Sequence, residues 1–139
     1  MIQLIVGKKG KGKSKHLLDK VNTQVKEVSG NIVYLDKSTK HMYELNNKVR
    51  LINVADYSIT NSDEFVGFLL GIFSQDHDLE QVYLDSFLDI ACLEDGNISS
   101  TVTKLDGLSE KYHIVFVLSI SVDEKELPDE LKSKVIVAL

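Results

Sequence analysis

The amino-acid sequence predicts a three-layer α/β/α fold with a mainly parallel sheet of about five or six strands. Short apolar runs alternate along the chain with segments whose apolar residues recur at helical spacing. Strands separated by helices imply right-handed crossovers and a parallel sheet with helices on its faces. The most apolar run, residues 113–119, predicts a central strand that is covered on both faces. We expect a single domain over residues 1–139, because this length is typical of one domain.

Composition and charge narrow the possible partners. The hydrophobic fraction is 43% and the charged fraction 27%, as in ordinary globular proteins. The formal net charge is −5. The first sixteen residues contain five lysines and no acidic residue, so the rest of the chain carries about −10. An acidic protein is a poor candidate for general nucleic-acid binding, and the local lysine cluster is better explained as an attractor for a polyphosphate.

The cysteine count and the hydropathy indicate a cytoplasmic protein. Cys92 is the single cysteine, so an intramolecular disulfide is excluded, and its apolar neighbours predict a buried, inert thiol. No stretch approaches the ~20 apolar residues that span a bilayer, and the first lysines follow the opening apolar run instead of preceding it. We therefore expect no membrane insertion and no signal peptide.

The first predicted strand, residues 2–6, leads directly into a glycine-rich loop. The segment from Gly7 to Ser14 reads Gly-Lys-Lys-Gly-Lys-Gly-Lys-Ser, which fits the phosphate-binding pattern G-x-x-x-x-G-K-[ST]. A helical pattern follows from Lys13 to about residue 28. A strand before the loop and a helix after it are the context that this pattern requires. A lysine-rich surface turn is the alternative explanation.

Each residue type in the loop has a chemical reason to be there. Gly7 and Gly12 allow backbone dihedrals that point successive N–H groups at a phosphate, and the helix that begins at Lys13 directs its positive dipole end there. Lys13 is placed to reach the β- and γ-phosphates, and Ser14 is placed to ligate Mg²⁺. The other candidate binding residues are Lys8, Lys9, Gly10, Lys11 and Lys15. The alternative is that these lysines are only solvated and that Lys13 alone is functional.

The middle of the chain predicts two more strands and a helix. Gly30 is suited to the left-handed C-cap of the first helix, and a strand over residues 32–35 ends at Asp36. Residues 41–45 fit a short antiparallel strand beside it better than a stub of helix, and residues 49–54 predict another strand. Ser62 is the expected N-cap of a helix that runs to about Ser74. This helix is apolar over most of its circumference, which indicates either burial inside the monomer or contact with a second subunit.

Asp85 is the second candidate for site chemistry. It ends the apolar strand predicted over residues 81–85 and follows the loop in chain order. A carboxylate at the end of a buried strand beside a phosphate loop can hold Mg²⁺ and its water shell, so we assign Lys13 and Asp85 as candidate catalytic residues and Ser14 and Asp85 as candidate metal ligands. The alternative is that Asp85 only caps the next turn. Asp89 is the fallback carboxylate.

The last third of the chain predicts a turn at residues 94–97, a helix capped by Ser99 or Ser100 that reaches about Lys111, and the central strand. Ser119 at the end of that strand is a candidate γ-phosphate sensor, although serines are common at strand ends. Residues 123–133 form a short acidic segment with about one helical turn, and residues 135–138 are the final strand. Polar residues thus follow several strands at the edge where ligands bind in parallel sheets.

This arrangement resembles the P-loop NTPases over nearly the whole chain. The sequence Tyr83-Leu84-Asp85-Ser86 is similar to the Walker-B strand of the RecA-like branch, and the chain also looks like a minimal core of the pilus-retraction type of motor ATPase. A second resemblance is to the MinD/ParA-type ATPases, since Lys8 stands where their Walker-A motif has its signature lysine. Those proteins are much longer and have Gly in place of Lys9. The first resemblance implies a P-loop NTPase sheet, a Walker-B role for Asp85, and ATP and Mg²⁺ as cofactors.

Departures from the family pattern limit the expected catalysis. Ser86 stands where many of these ATPases have a glutamate that polarises water, and Glu64, Asp56 and Asp89 are unpersuasive substitutes. Arg50 is the only arginine and begins a strand, so an arginine finger, worth ~10³–10⁵ in rate, is not expected within the chain. The lack of a lid with several arginines counts against a small-molecule kinase.

Three functions remain open from the sequence. The first is a slow or partner-stimulated ATPase that acts with a protein partner or as a homo-oligomer. The second is a non-catalytic nucleotide-binding regulatory module, and the weakest is a small-molecule phosphotransferase. No Asn-Lys-x-Asp motif is present to read guanine, so ATP is preferred only because it is the commoner nucleotide.

Overall fold

The computed structural model describes residues 1–93 and 98–139. Its strands are β1 (Ile2–Val6), β2 (Asn31–Asp36), β3 (Arg50–Asn53), β4 (Leu79–Leu84), β5 (Val115–Ile120) and β6 (Val135–Ala138). Its α-helices are α1 (Lys13–Gln24), α2 (Ser62–Gln75), α3 (Phe87–Ile90) and α4 (Ile98–Tyr112). Three short 3₁₀ helices cover Val54–Asp56, Glu124–Glu126 and Asp129–Lys134. The turn predicted at residues 94–97 lies outside the described residues.

The six strands form one sheet in the order β3-β2-β4-β5-β1-β6, and every pairing is parallel. This confirms the predicted α/β fold. The strand β5 lies between β4 and β1, as its apolar sequence predicted, and its residues from Phe116 to Ile120 are all buried. Because all strands run the same way, their carboxyl ends meet at one edge of the sheet.

Side chains alternate between the two faces of the sheet and build two apolar layers. On β2, for example, Val33 and Leu35 join the larger cluster, whereas Ile32 and Tyr34 join the smaller one. The larger cluster packs against α2, α3 and α4, and the smaller one against α1. The helices on opposite faces therefore complete the three layers.

The first helix is shorter than its sequence pattern predicted, and the role given to Gly30 is wrong. The helix α1 ends at Gln24, and its C-cap is Val25 in right-handed conformation. Gly30 has no left-handed φ. Its Cα instead lies against the carbonyl oxygen of Asp78 and the side chain of Glu80, and its N–H donates to the Glu80 carboxylate. Close backbone approach, not helix capping, explains this glycine.

The antiparallel strand predicted at residues 41–45 is also wrong. Residues 37–49 contain turns and bends with no strand. The reason is that both edges of β2 are already occupied, because β4 pairs on one side and β3 on the other, with Tyr34 opposite Leu51. The segment therefore crosses the smaller apolar layer as an irregular loop, where Leu45 and Val49 contribute to the packing.

The helix caps differ from the predictions by one or a few residues. Asn61, not Ser62, is the N-cap of α2, and its side chain accepts the N–H of Glu64. Ser99 and Ser100 lie inside the first turn of α4, so neither is its cap. An amide side chain at the N-cap satisfies an N–H of the first turn as well as a hydroxyl does, which is why the sequence could not separate the two neighbours.

The broad apolar surface of α2 is only partly used. Phe65, Leu69 and Phe73 are buried in the larger cluster, while Phe68 and Ile72 pack against its margin. Nothing lies within 4 Å of where a Cβ on Gly67 or Gly71 would stand, so no element of the described chain approaches these glycines closely. Within the described ranges, none of the helices has the length and hydropathy needed to cross a bilayer.

Candidate functional site

The glycine-rich loop joins the carboxyl end of β1 to the start of α1. Gly10 and Gly12 have φ angles of 83° and 91°, the left-handed conformation that glycine adopts without strain. Gly7 is needed for space: a Cβ there would stand 3.0 Å from the Cβ of Leu139, which follows the edge strand β6. The glycines of the loop thus meet three backbone requirements, and Gly10 lies between the two glycines that the motif specifies.

Lys13 lies inside the curve of the loop. Its side chain is largely buried, and Nζ donates to the carbonyl oxygen of Lys8 at 3.0 Å. Burial lowers the pKa of the Lys13 ammonium, the carboxylate of Asp85 opposes that effect, and Lys9 adds to the lowering. At its start, α1 receives no side-chain cap from Gly12, which leaves N–H groups of its first turn available to an anion.

Asp85 is the centre of a hydrogen-bond network at the carboxyl ends of the central strands. Its Oδ1 accepts from Ser14 Oγ at 3.1 Å, from Ser119 Oγ at 2.7 Å and from the N–H of Ser86 at 2.9 Å. Its Oδ2 accepts from the hydroxyl of Tyr34 at 2.6 Å. Burial and the adjacent Asp85 charge strongly raise the pKa of Tyr34, so this phenol is a hydrogen-bond donor at any ordinary pH. The network fixes both oxygens of the carboxylate.

The strand order explains how Ser14 and Asp85 meet. Asp85 follows β4 and the loop follows β1, and these strands are separated by β5. Ser119 on β5 lies between them, donates to Asp85 and accepts the N–H of Ser86 at 2.8 Å. Ser119 is therefore engaged with the Asp85 carboxylate, and its predicted role as a γ-phosphate sensor stays a prediction.

The sequence places Asp36 at the end of a strand but does not predict that it belongs to the site. It is 2% exposed at the end of β2, next to β4 in the sheet. Its Oδ1 accepts the N–H of Lys37 at 2.7 Å, while its buried Oδ2 has no hydrogen-bond partner within residues 1–93 and 98–139. Burial, followed by the charge of Asp85, raises the pKa of Asp36 to about 6. A buried carboxyl oxygen of this kind indicates a site for a proton or a cation.

His41 is the second residue that the sequence did not suggest. Together with Asp36 and Asp85, His41 forms a cluster of possible metal ligands. One ligand atom of each residue lies within 4.8 Å of the other two. The sequence pattern predicts a strand at His41, which would place this residue along the sheet. The irregular loop after β2 brings it to the carboxyl ends of the strands instead, and no local sequence signal predicts that return.

These groups line a cleft of about 320 Å³ at the carboxyl edge of the sheet. The cleft brings together Lys9, Gly10, Gly12, Lys13, Ser14 and Asp85 from the predicted set, with Asp89 and Ser119. Gly7, Lys8, Lys11 and Lys15 do not line it, although Lys8 contributes the carbonyl that Lys13 contacts. The additional lining residues are Asp36, Lys37, Lys40, His41, Ser86 and Ser121.

The carboxylates weighed as substitutes for a water-polarising glutamate have other surroundings. Asp89 lines the cleft and forms a 3.0 Å salt bridge with Lys37. Glu64 is on α2 and accepts hydrogen bonds from Thr60. Asp56 lines a separate cavity beside β3.

Arg50 lies at the opposite edge of the sheet. It begins β3, so it is at the amino end of the strand, and its Nη1 forms a 3.1 Å salt bridge with Asp76. Since Arg50 is the only arginine in the sequence, no guanidinium of this chain belongs to the cleft.

Residues that could hold Mg²⁺ with a nucleotide are present. Ser14 offers a hydroxyl and Asp85 a carboxylate, the hard oxygen donors that Mg²⁺ takes beside phosphate oxygens and water. The loop amides and Lys13 supply the positive side of the site. The chemistry of the donor set therefore fits a magnesium–polyphosphate complex.

No family model matches this chain, and no curated protein matches it. Among solved structures, the flagellar accessory protein FlaH from Methanocaldococcus jannaschii is similar, with a TM-score of 0.57 and 14% identity. The similarity covers 95% of this chain and 65% of FlaH, so this chain spans less than two thirds of that protein. At this level of identity the likeness concerns the fold alone. The all-parallel sheet with flanking helices is an α/β fold compatible with the P-loop and RecA-like architecture.

Proposed function

We propose that this chain binds a nucleoside triphosphate, with ATP preferred, as its Mg²⁺ complex in the cleft between the glycine-rich loop and Asp85. One contact carries the proposal: Ser14 Oγ lies 3.1 Å from Asp85 Oδ1, which joins the two oxygen donors suited to Mg²⁺ at the mouth of the loop. The likeness of fold to FlaH supports the same class of protein.

Lys13 and the loop supply the electrostatic part of the binding. The ammonium lies within the loop, and a triphosphate entering there would replace the Lys8 carbonyl as its partner. Hydrogen bonds from a charged donor to phosphate are worth roughly 1.5–3 kcal/mol, which corresponds to about 10–100-fold in affinity. Lys9 and Lys40 also line the cleft and add positive charge around the phosphates.

Hydrolysis is proposed to be slow in the isolated chain and stimulated by a partner or a second copy. Ser86 follows Asp85, so no glutamate stands next to the metal-binding carboxylate. Arg50 is held by Asp76 at the far edge of the sheet. An arginine supplied in trans would add the guanidinium that the cleft lacks, because such a group stabilises the charge of the transferring phosphoryl.

A regulatory module that binds nucleotide without turnover is the second candidate. The same two observations favour it, since a cleft with metal and phosphate ligands but neither a glutamate after Asp85 nor a guanidinium is expected to bind better than it catalyses. The two candidates make the same prediction for binding and differ in turnover.

Binding and turnover measured with matched lysine variants test the proposal. Titration of ATP with Mg²⁺ is expected to show one site, Lys13→Ala to weaken it at least about tenfold, and Lys11→Ala to leave it nearly unchanged, because Lys11 is exposed and does not line the cleft. ADP release that Lys13→Ala abolishes identifies the ATPase, and binding without ADP release identifies the module. Equal binding by wild type and Lys13→Ala would refute both.

A further inference from the structure

Two aspartates and a histidine converge in the cleft at the carboxyl edge of the sheet. We propose that Asp36, His41 and Asp85 bind one transition-metal cation of the Zn²⁺ class. This site shares Asp85 with the proposed Mg²⁺ position beside Ser14, and its binding of a cation does not depend on nucleotide. Asp36 and His41 are used nowhere in the proposed nucleotide site.

The first argument is the state of Asp36. Its Oδ2 is buried without a hydrogen-bond partner in the described part of the chain, and the residue is 98% buried. A buried carboxylate oxygen without a donor is costly, and the nearby Asp85 carboxylate makes it more so. A cation between the two carboxylates satisfies Oδ2 and removes their mutual repulsion.

The second argument is the orientation of His41. Its Nδ1 lies 3.2 Å from Oε2 of Glu44, and its side chain is 16% exposed. With the proton on Nδ1, the imidazole donates to Glu44 and presents the lone pair of Nε2. Nε2 is buried and has no hydrogen-bond partner among the residues described. A histidine that donates one nitrogen to a carboxylate and offers the other to a metal is the usual arrangement of metal-binding histidines.

The third argument is the reach of the three groups. Their chosen ligand atoms lie within 4.8 Å of one another. Zn²⁺ bonds of ~2.0–2.2 Å in tetrahedral geometry place ligand atoms ~3.4 Å apart. The distances between the three ligand atoms would therefore shorten by about 1.5 Å at most. His41 belongs to the irregular segment after β2, where a side-chain rotation of this size disturbs no strand. Within the described residues, Asp85 Oδ2 accepts a hydrogen bond only from the Tyr34 hydroxyl, so this oxygen retains a lone pair.

The ligand types select the class of metal. Mg²⁺ prefers oxygen donors in octahedral geometry, whereas imidazole together with carboxylates suits Zn²⁺, Co²⁺ and Mn²⁺. Three protein ligands leave a position for water, so the cation would be open to solvent in the cleft. Lys37, which also lines this cleft, is held by Asp89 through a 3.0 Å salt bridge.

Metal titration of the chelator-stripped full chain, without nucleotide, tests the proposal. Cys92 is exposed, so the prediction of a buried thiol is wrong. Because an exposed thiol also binds Zn²⁺, all proteins are compared in a Cys92→Ser background. We expect one equivalent of Zn²⁺ by calorimetry, and visible absorption on Co²⁺ binding. His41→Gln is expected to lower Zn²⁺ affinity at least about tenfold, and Glu44→Ala to lower it about tenfold through the lost support of the imidazole.

The matched control is His77→Gln, an exposed histidine in the turn before β4 at the other edge of the sheet. It is expected to bind Zn²⁺ as the parent does. Failure of the parent to bind one equivalent, or equal affinities for His41→Gln and His77→Gln, would overturn the metal site. Lys13→Ala is expected to retain Zn²⁺ binding, so loss of the nucleotide site and loss of the metal site give different results.

Discussion

Replacing Asp36 by asparagine is expected to stabilise the metal-free protein at neutral pH, the opposite of the usual effect of changing a buried residue. The change keeps Oδ1 as an acceptor for the N–H of Lys37 and replaces the other oxygen, which has no partner among the described residues, by an amide. It also removes a negative charge beside Asp85. The buried charge and its repulsion therefore disappear together.

The magnitude follows from the pKa of Asp36. Burial and Asp85 raise this pKa from 3.8 to about 6, and each unit is worth 1.36 kcal/mol. Between these values the folded state binds more protons than the unfolded chain, so wild-type stability falls as the pH rises through this range. The cost of the charge is about 1 kcal/mol at pH 4.5 and about 3 kcal/mol at pH 8. Asp36→Asn avoids this cost.

Urea unfolding with EDTA gives the free energy of unfolding of wild type and Asp36→Asn at pH 4.5 and at pH 8. The variant-minus-wild-type difference is compared between the two pH values, so that the contributions of titrating groups common to both proteins cancel. The free-energy advantage of Asp36→Asn is expected to grow by about 2 kcal/mol between the two pH values. The control is Asp89→Asn in the same cleft, which loses a half-exposed salt bridge and is expected to cost up to about 1 kcal/mol. An Asp36→Asn variant less stable than wild type at pH 8, or an advantage independent of pH, would refute the account of Asp36.

Two further substitutions have matched partners. Tyr34→Phe removes the donor to the buried Asp85 carboxylate and is expected to lower the free energy of unfolding by roughly 1.5–3 kcal/mol, against about 0.5–1.5 kcal/mol for Tyr83→Phe, whose hydroxyl bonds a neutral amide. Equal losses of unfolding free energy for the two variants in urea would contradict the view that Tyr34 donates to a charged carboxylate. Gly30→Ala drives a Cβ into neighbouring backbone and should destabilise the protein by about 1–3 kcal/mol, whereas Gly67→Ala, in open space on α2, should stabilise it by about 0.5–1 kcal/mol. A tolerated Gly30→Ala would show that the close approach is not required.

The parallel sheet was predictable because its signals are local and repeated. Each strand is a short apolar run, and each crossover carries a helical pattern or turn residues, so the α/β class follows without knowledge of any contact. The conformation of the loop was equally predictable, since the spacing from Gly7 to Ser14 indicates where the backbone needs glycine, while its phosphate chemistry stays a prediction. Asp85 could be placed because it directly follows a buried strand.

The errors arose where a distant part of the chain decides the local structure. Residues 41–45 have a strand-like pattern, but β3 and β4 occupy both edges of β2, and nothing within the segment reveals this. Gly30 fitted a helix end by its position, yet its real constraint is the turn at Asp78, nearly fifty residues later in the chain. Asp36 and His41 were missed for the same reason, because their importance lies in meeting Asp85.

Because of the order of the strands, a short fragment of the chain cannot form the cleft. The residues that line it are spread along the sequence from Lys9 to Ser121. The glycine-rich loop follows β1 and Asp85 follows β4, and β5 lies between these two strands in the sheet. No contiguous fragment shorter than that interval contains the complete lining. A peptide excised around the glycine motif would keep Lys9 and Lys13 but none of the lining carboxylates, so any reconstitution from two pieces must rebuild the middle of the sheet before a ligand can be held.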